Sequence, residues 1–591
     1  MKKQALLILP ILLGISGCTL GGGETKAYGF KSHVEKRVQM YDAYYGTVRK
    51  GKEIKMHFFD NVDVPYISIR EYFKKFMNLG NIASQYSFDF DENKLITTIT
   101  NDTYNTSAVI DFNKQTITYD DFTSFVNIYN KSIGQPLTTL TSGGGSLFHV
   151  SNYHYQAPKS KLVVKLNDYH MHAYYDKDKE NGYLPFQACE NFFIPEYSTD
   201  SYVYGDEKLI NCYSYYYEDS TAQAVAREFG DYEFSKSYMD FTYYLTALSL
   251  DLRFGLDERF MRSTNSTHEF LPEGAIKALE SRYDKLTSTK AGVYDKAIND
   301  FYLNEMDDGG HTAFTRRSFL DPNKTANISY GPEYSYTMKN YYNLYYSRYY
   351  AGYNPESHTG SDQEYSEYGD IAFLTFDSFN LQENSYNYSY VNEDNYYKDT
   401  ITLTMYADKM IKQHNIKDVV IDLSLNGGGV ALTLSFIASW LCGGFTSYLY
   451  DGVSGAFASS YVEADINTDG RITSDDFIDP DINVYVIVTG NSFSCGNALP
   501  TLLQDNKENV YYIGSRSGGG ACVVDDGADT GLGTTLRLSG RQRICREGST
   551  QDNPISNDGG VTAMFYPITE SNTNAFYDRD EIAARIIANR K

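Results

Sequence analysis

The spacing of apolar residues changes character along the chain. Through residues 31–235 apolar and polar positions alternate in short runs such as "KEIKMHFF" (Lys52–Phe59) and "KLVVKLNDYHMHAYY" (Lys161–Tyr175), the two-residue period of half-buried strands. Each run precedes a strand-then-helix stretch, "DVPYISIREYFKKFM" (Asp63–Met77) and "ENGYLPFQACENFF" (Glu180–Phe193). This predicts a strand-rich N-terminal region in which one unit is used twice, with His170 and His172 on a solvated strand face. Residues 236–330 shift to three-and-four spacing in "TYYLTALSLDLRFGL", "LPEGAIKALESRYDKL" and "KAGVYDKAINDFYLNEM", which predicts a small helical cap. A tyrosine-rich connector follows over 331–369. From 370 to 591 short apolar strands ("DIAFLTF", "KDVVIDL", "DINVYVIV", "NVYYIG") alternate with helical runs ("TITLTMYADKMIKQHNI", "VALTLSFIASWLC", "CGNALPTLLQD"). That order predicts an α/β unit built on a largely parallel sheet, whose ligand sites lie at the strand C-termini.

Composition and charge narrow the possibilities. At 591 residues the chain holds several domains, and 42% apolar with 22% charged residues is the balance of a folded protein. A net charge of -24 excludes a nucleic-acid binder, because no basic stripe could neutralise phosphates. The 56 tyrosines suit strand surfaces and could also stack on peptides or glycans. The opening "MKKQALLILPILLGISGC" has two lysines, an apolar run and a small-residue site before Cys18, the pattern of a signal peptide. It resembles a bacterial lipoprotein signal over 1–18, which implies that Cys18 is acylated, that 19–30 is a tether, and that the protein is held at a membrane outside the cytoplasm. Six cysteines then remain: Cys189, Cys212, Cys442, Cys495, Cys522 and Cys545. Their even number in an oxidising compartment predicts disulfides, with Cys189–Cys212 the natural local pair. None has zinc-site spacing.

Two glycine- and serine-bearing turns stand at predicted strand ends. "DLSLNGGG" (Asp422–Gly429) closes one strand, and "SFSCGN" (Ser492–Asn497) leads from another into a helix, with Gln504-Asp505 further on. A serine there can cap the helix or act as a nucleophile at its positive end. Together these stretches resemble the S41 serine peptidases, the C-terminal-processing protease and tricorn-core family, whose motifs read Asp-Leu-Arg-x-Asn-x-Gly-Gly and Ser-Ala-Ser-Ala-Ser-Glu. The resemblance implies a crotonase/ClpP-like catalytic domain, with Ser494 as nucleophile and the amides of Cys495 and of Gly428 or Gly429 as the oxyanion hole. Ser424 replaces the family's arginine, and Gly519 stands where the processing branch has its lysine base; Lys507, the nearest lysine, lies in a polar turn where its charge stays hydrated. "EMDDGGHTAF" (Glu305–Phe314) resembles the base element of the histidine-using branch, which implies His311 as general base. The late turn "NPISNDGGVTAMFYP" lacks the family's glutamate, leaving Asp558 as the nearest carboxylate to orient the base and Glu547 as the second. The span between His311 and Ile371 is too short for a PDZ module.

An insertion, "DINTDGRITSDD" (465–476), carries the spacing of a calcium loop: Asp465, Asn467, Asp469, the Arg471 carbonyl and Asp476 as ligands, with Gly470 at the turn. Asp476 replaces the usual bidentate glutamate, so binding of a structural Ca2+ should be weak, and no cofactor is expected for catalysis. The expected function is an extracytoplasmic, lipid-anchored serine endopeptidase acting on peptides or unfolded proteins through an acyl-enzyme. The alternative is an inactive homologue that binds peptides or glycans at the cell surface.

Overall fold

The computed structural model describes residues 29–77, 83–127, 141–142, 145–176, 181–194, 200–213, 219–256, 274–306, 310–311, 313–316, 332–353, 356–358, 361–383, 385–569 and 571–590. The signal sequence, Cys18 and the tether lie outside them. Among the described residues no helix is long and apolar enough to cross a membrane.

The C-terminal unit is organised by a seven-stranded sheet in the order 356–358, 361–368, 371–376, 418–422, 483–488, 510–514, 566–567. Its five later strands run parallel, and two antiparallel strands are added at one edge. The continuous apolar runs are explained by burial on both faces. Ala372, Leu374, Val419, Ile421, Val484, Val486 and Val488 face one core, and Ile371, Phe373, Val420, Tyr485 and Ile487 face the other. Helices Thr400–His414, Ala431–Cys442 and Cys495–Asn506 cover the first face, and Arg579–Asn589 covers the second. The expected connector contributes to this unit. It forms the 20-residue helix Pro332–Ala351, which lays Leu344 on the second face, and the two edge strands. Aliphatic spacing could not reveal this helix, because its outward positions Tyr342, Tyr345, Tyr346, Tyr349 and Tyr350 are exposed tyrosines.

The N-terminal region forms a second seven-stranded sheet (174–176, 181–185, 66–68, 47–59, 33–44, 208–213, 200–205) and a five-stranded one (162–165, 116–119, 106–111, 96–101, 86–91). The two strand–helix echoes are neighbours in the former, with Tyr183 opposite Ser68. His170 and His172 do not lie on a strand. Leu166–Tyr169 is a 3-10 turn that ends at His170 with φ 50°, and the His170 ring lies against Tyr244, tilted by 33° with centroids 4.0 Å apart.

A further sheet joins regions far apart in sequence: 148–156, 457–464, 445–451, 535–545 and 313–316 in that order, with 522–529 also paired to 535–545. Cys522, Ala528, Leu532, Leu536 and Leu538 consequently pack in the same core as the N-terminal region and the cap. This architecture corrects the crotonase/ClpP-like expectation. The sheets are open and mixed, and one of them draws strands from three regions. Periodicity finds strands, but it does not say which distant strand each will pair with. The expected disulfides are also absent among the described residues: all six cysteines are free thiols, five of them buried. They serve as small apolar side chains in the cores; the Cys189 thiol, for example, donates to the Pro185 carbonyl.

Candidate active site

Ser494 stands between the strand Asn483–Val488 and the 12-residue helix Cys495–Asn506. Its backbone has φ 54° and ψ -121°, a region that a residue with a Cβ enters only under strain. The strain is held from three sides. Ser494 N–H donates to Gly519 O at 2.9 Å, Phe493 N–H to Asn426 O at 3.0 Å, and Ala498 N–H to Ser494 O at 2.8 Å. The effect is to turn the Ser494 side chain out at the positive end of the helix. It is partly exposed, whereas its neighbours Asn491, Ser492, Phe493 and Cys495 are buried. Ser492 has a different task. Its hydroxyl donates to Leu423 O at 2.7 Å and accepts from Thr489 N–H at 2.9 Å, locking the two strand ends together.

The glycine run lies against the serine. A Cβ on Gly428 would fall 2.7 Å from Ser494 Cβ and 3.1 Å from its Oγ, so only glycine lets the strands approach this closely. The Gly428 amide, one of those expected at an oxyanion hole, donates instead to Asn426 Oδ1 at 2.9 Å. Gly429, at φ 140°, is pressed on the Phe379 backbone, and the Cys495 thiol donates to its carbonyl at 3.3 Å. Burial pushes that thiol up to about 12, so it stays protonated. Ser424, which replaces the family's arginine, is hydrogen-bonded to the Tyr577 hydroxyl. A guanidinium reaches the strand ends from the tyrosine-rich helix instead. Arg348, 2% exposed, donates to both oxygens of Asp377 at 2.8 and 2.6 Å. Burial opposes its charge, but Asp377 and nearby Asp422 outweigh burial and push its pKa further up.

His311 is 2% exposed, and its ring meets Phe493, next to Ser494, edge-on at 4.8 Å between centroids. Phe493 occupies the family's alanine position. Around it the chain is glycine: a Cβ on Gly310, Gly518 or Gly520 would meet its ring at 3.2, 3.3 or 2.7 Å. Thus the turn at Gly310, the serine turn and the loop after the strand Val510–Gly514 close on one aromatic ring. His311 Nδ1 is 2.9 Å from Ser539 Oγ. Sequence reasoning passed over Ser539, because only strand pairing brings it there. Asp558 lies elsewhere on the rim, where its Oδ1 accepts from Gly520 N–H at 2.9 Å and Ala521 N–H at 3.4 Å and so braces the loop behind Ser494. Glu547 accepts from the Tyr448 hydroxyl on the third sheet. Lys507 follows the far end of the serine helix, about 20 Å from Ser494 by helix rise. Contrary to the hydrated turn expected for it, burial lowers its pKa.

In the insertion, Asp469 N–H donates to Asp465 Oδ1 and Asn467 Oδ1, Gly470 N–H to Asp465 Oδ2, and Asn467 and Thr473 N–H to Asp476. Gly470 takes φ 84°. The Arg471 N–H bonds to Asp469 Oδ1. Among the described residues no group of three or more His, Cys, Asp or Glu side chains is gathered to hold a metal ion.

No curated protein matches the chain. Solved structures similar to it share 14–17% identity. A candidate peptidase from Parabacteroides merdae ATCC 43184 shares 16%, with 56% of this chain and 94% of that one covered at a TM-score of 0.36. A lipoprotein from Streptococcus agalactiae shares 14%, with the same coverages and a TM-score of 0.30. An S41 protease candidate from Bacteroides fragilis NCTC 9343 shares 14%, with 38% of this chain and 57% of that one covered at 0.28. The strand–glycine–serine unit described above lies within residues 370–558, and it is this stretch that matches the model of peptidase family S41.

Proposed function

We propose that this protein is an extracytoplasmic serine endopeptidase acting on peptides or unfolded protein tails. The observation that carries the reading is the Ser494 turn: a partly exposed hydroxyl on a strained backbone at a helix N-terminus, against Gly428 and beside the ring that packs on His311. In this reading Ser494 Oγ attacks the scissile carbonyl while His311 Nε2 takes its proton. The Gly429 and Cys495 amides receive the negative charge of the tetrahedral intermediate. Collapse expels the amine with the proton from His311, and water clears the acyl-enzyme by the same route in reverse. Labelling of the protein with a serine-directed phosphonate tests it. The parent should be modified at Ser494, and Ser494→Ala and His311→Ala should not. Absence of labelling in the parent would favour an inactive, peptide- or glycan-binding homologue, a reading helped by the engagement of Asp558 with backbone amides.

Two attachments belong to the same proposal. Cys18 carries lipid, so Cys18→Ser should move the protein from the detergent phase to the aqueous phase on phase separation; unchanged partitioning removes the anchor. The 465–476 loop takes a structural Ca2+ through Asp465, Asn467, Asp469, the Arg471 carbonyl and Asp476. Burial raises the pKa of both Asp465 and Asp476, and for Asp465 the charges of Asp476 and Asp469 add to it, so a cation would relieve both effects. Titration calorimetry with calcium should give heat for the parent and none for Asp465→Ala. Equal heats would dismiss the site.

A further inference from the structure

We infer that Ser539 is the positioning residue of His311; the inference rests on the serine-peptidase reading above. The strand Ala313–Arg316 runs antiparallel to Thr535–Cys545, with Ala313 opposite Arg537 and Phe314 opposite Leu536. His311 lies in the turn two residues before that strand, and its Nδ1 is 2.9 Å from the Oγ of Ser539, two residues beyond Arg537. Ser539 is fully buried and is fixed from both edges of its strand, by Val524, its ladder partner on one, and by the Gly255 N–H, which donates to its carbonyl on the other. A slip of one residue would present Leu538 or Gly540, neither of which has a side-chain acceptor. For Nε2 to accept a proton from Ser494, Nδ1 must carry the ring hydrogen, and the Ser539 hydroxyl then accepts it. Phe493 restrains the ring from another side. The base is thereby held in one tautomer and one orientation by a neutral group, while Asp558 Oδ1 serves the Gly520 turn.

The test is the rate of phosphonate labelling at Ser494, followed across the acid-to-neutral range in the full chain. Ser539→Ala should label about 100-fold more slowly, as misplacing a catalytic group does. Its acid limb should move to lower pH, because loss of the acceptor disfavours the imidazolium. Ser539→Thr, which keeps the hydroxyl, should restore the rate and the limb. Should the alanine variant fail to fold, Ser539→Cys, with a weaker acceptor of similar size, is read by the same limb shift. A parent that labels and an Ser539→Ala protein with unchanged rate and limb would overturn the inference alone, as would Ser539→Thr and Ser539→Ala proteins equally slow with unmoved limbs. A parent that never labels overturns the peptidase reading and this inference together.

Discussion

Ser494→Ala is expected to lower turnover of an unfolded peptide by about 10⁵- to 10⁶-fold, the scale on which a serine peptidase loses its nucleophile. His311→Ala should cost a comparable amount, and the double variant little more than either one, because the two act as a unit. The measurement is kcat on a fluorogenic peptide, with folding checked by near-UV circular dichroism. Ser492→Ala is the informative neighbour. Its hydroxyl bonds Leu423 O and Thr489 N–H, so its removal should lower stability while Ser494 remains labelled. If the Ser492 variant lost labelling and the Ser494 variant kept it, the two serines would have exchanged roles.

The second large effect is on stability. Arg348→Met should destabilise the protein by about 3–5 kcal/mol, because it removes one partner of a buried ion pair and leaves the other uncompensated. Arg348 is 2% exposed and holds both Asp377 oxygens, with Asp422 close by. Asp377 directly follows the strand Ile371–Phe376, and the next two residues touch the glycine run: Ser378 Oγ and Phe379 N–H both donate to Gly428 O. Loss of the pair should therefore loosen the oxyanion side as well as the fold. Urea denaturation of the parent, Arg348→Met and the double variant Arg348→Met/Asp377→Leu measures it. The double variant should recover part of the loss, because apolar groups of suitable size can replace a buried pair. No recovery would mean that Asp377 is not the partner that matters.

What could be read from the sequence was local. The strand–turn–helix order around Ser494 and the parallel strands before it followed from short apolar runs and their punctuation, because both depend on neighbours within a few residues. The match of residues 370–558 to a peptidase family agrees with the motifs at Asp422–Gly429 and Ser492–Asn497. What escaped depends on long-range pairing. Ser539 meets His311 only because the strand that follows the histidine pairs with one more than 200 residues later. Arg348 reaches Asp377 only because a helix with a tyrosine exterior packs on the sheet. Cysteine counting failed for a different reason. It reads compartment, whereas burial in separate apolar surroundings decides what each thiol touches.

The third sheet also bears on the timing of biosynthesis. Its central strand Thr535–Cys545 is made late, yet the segment after His311 and 445–451 both dock along one of its edges, while 522–529 pairs with the other. A nascent chain that has emerged only as far as residue 530 already holds Ser494, the glycine run and His311, but not the strand that aligns the imidazole. In the proposed mechanism such a polypeptide has its nucleophile without an aligned proton acceptor until synthesis is nearly done.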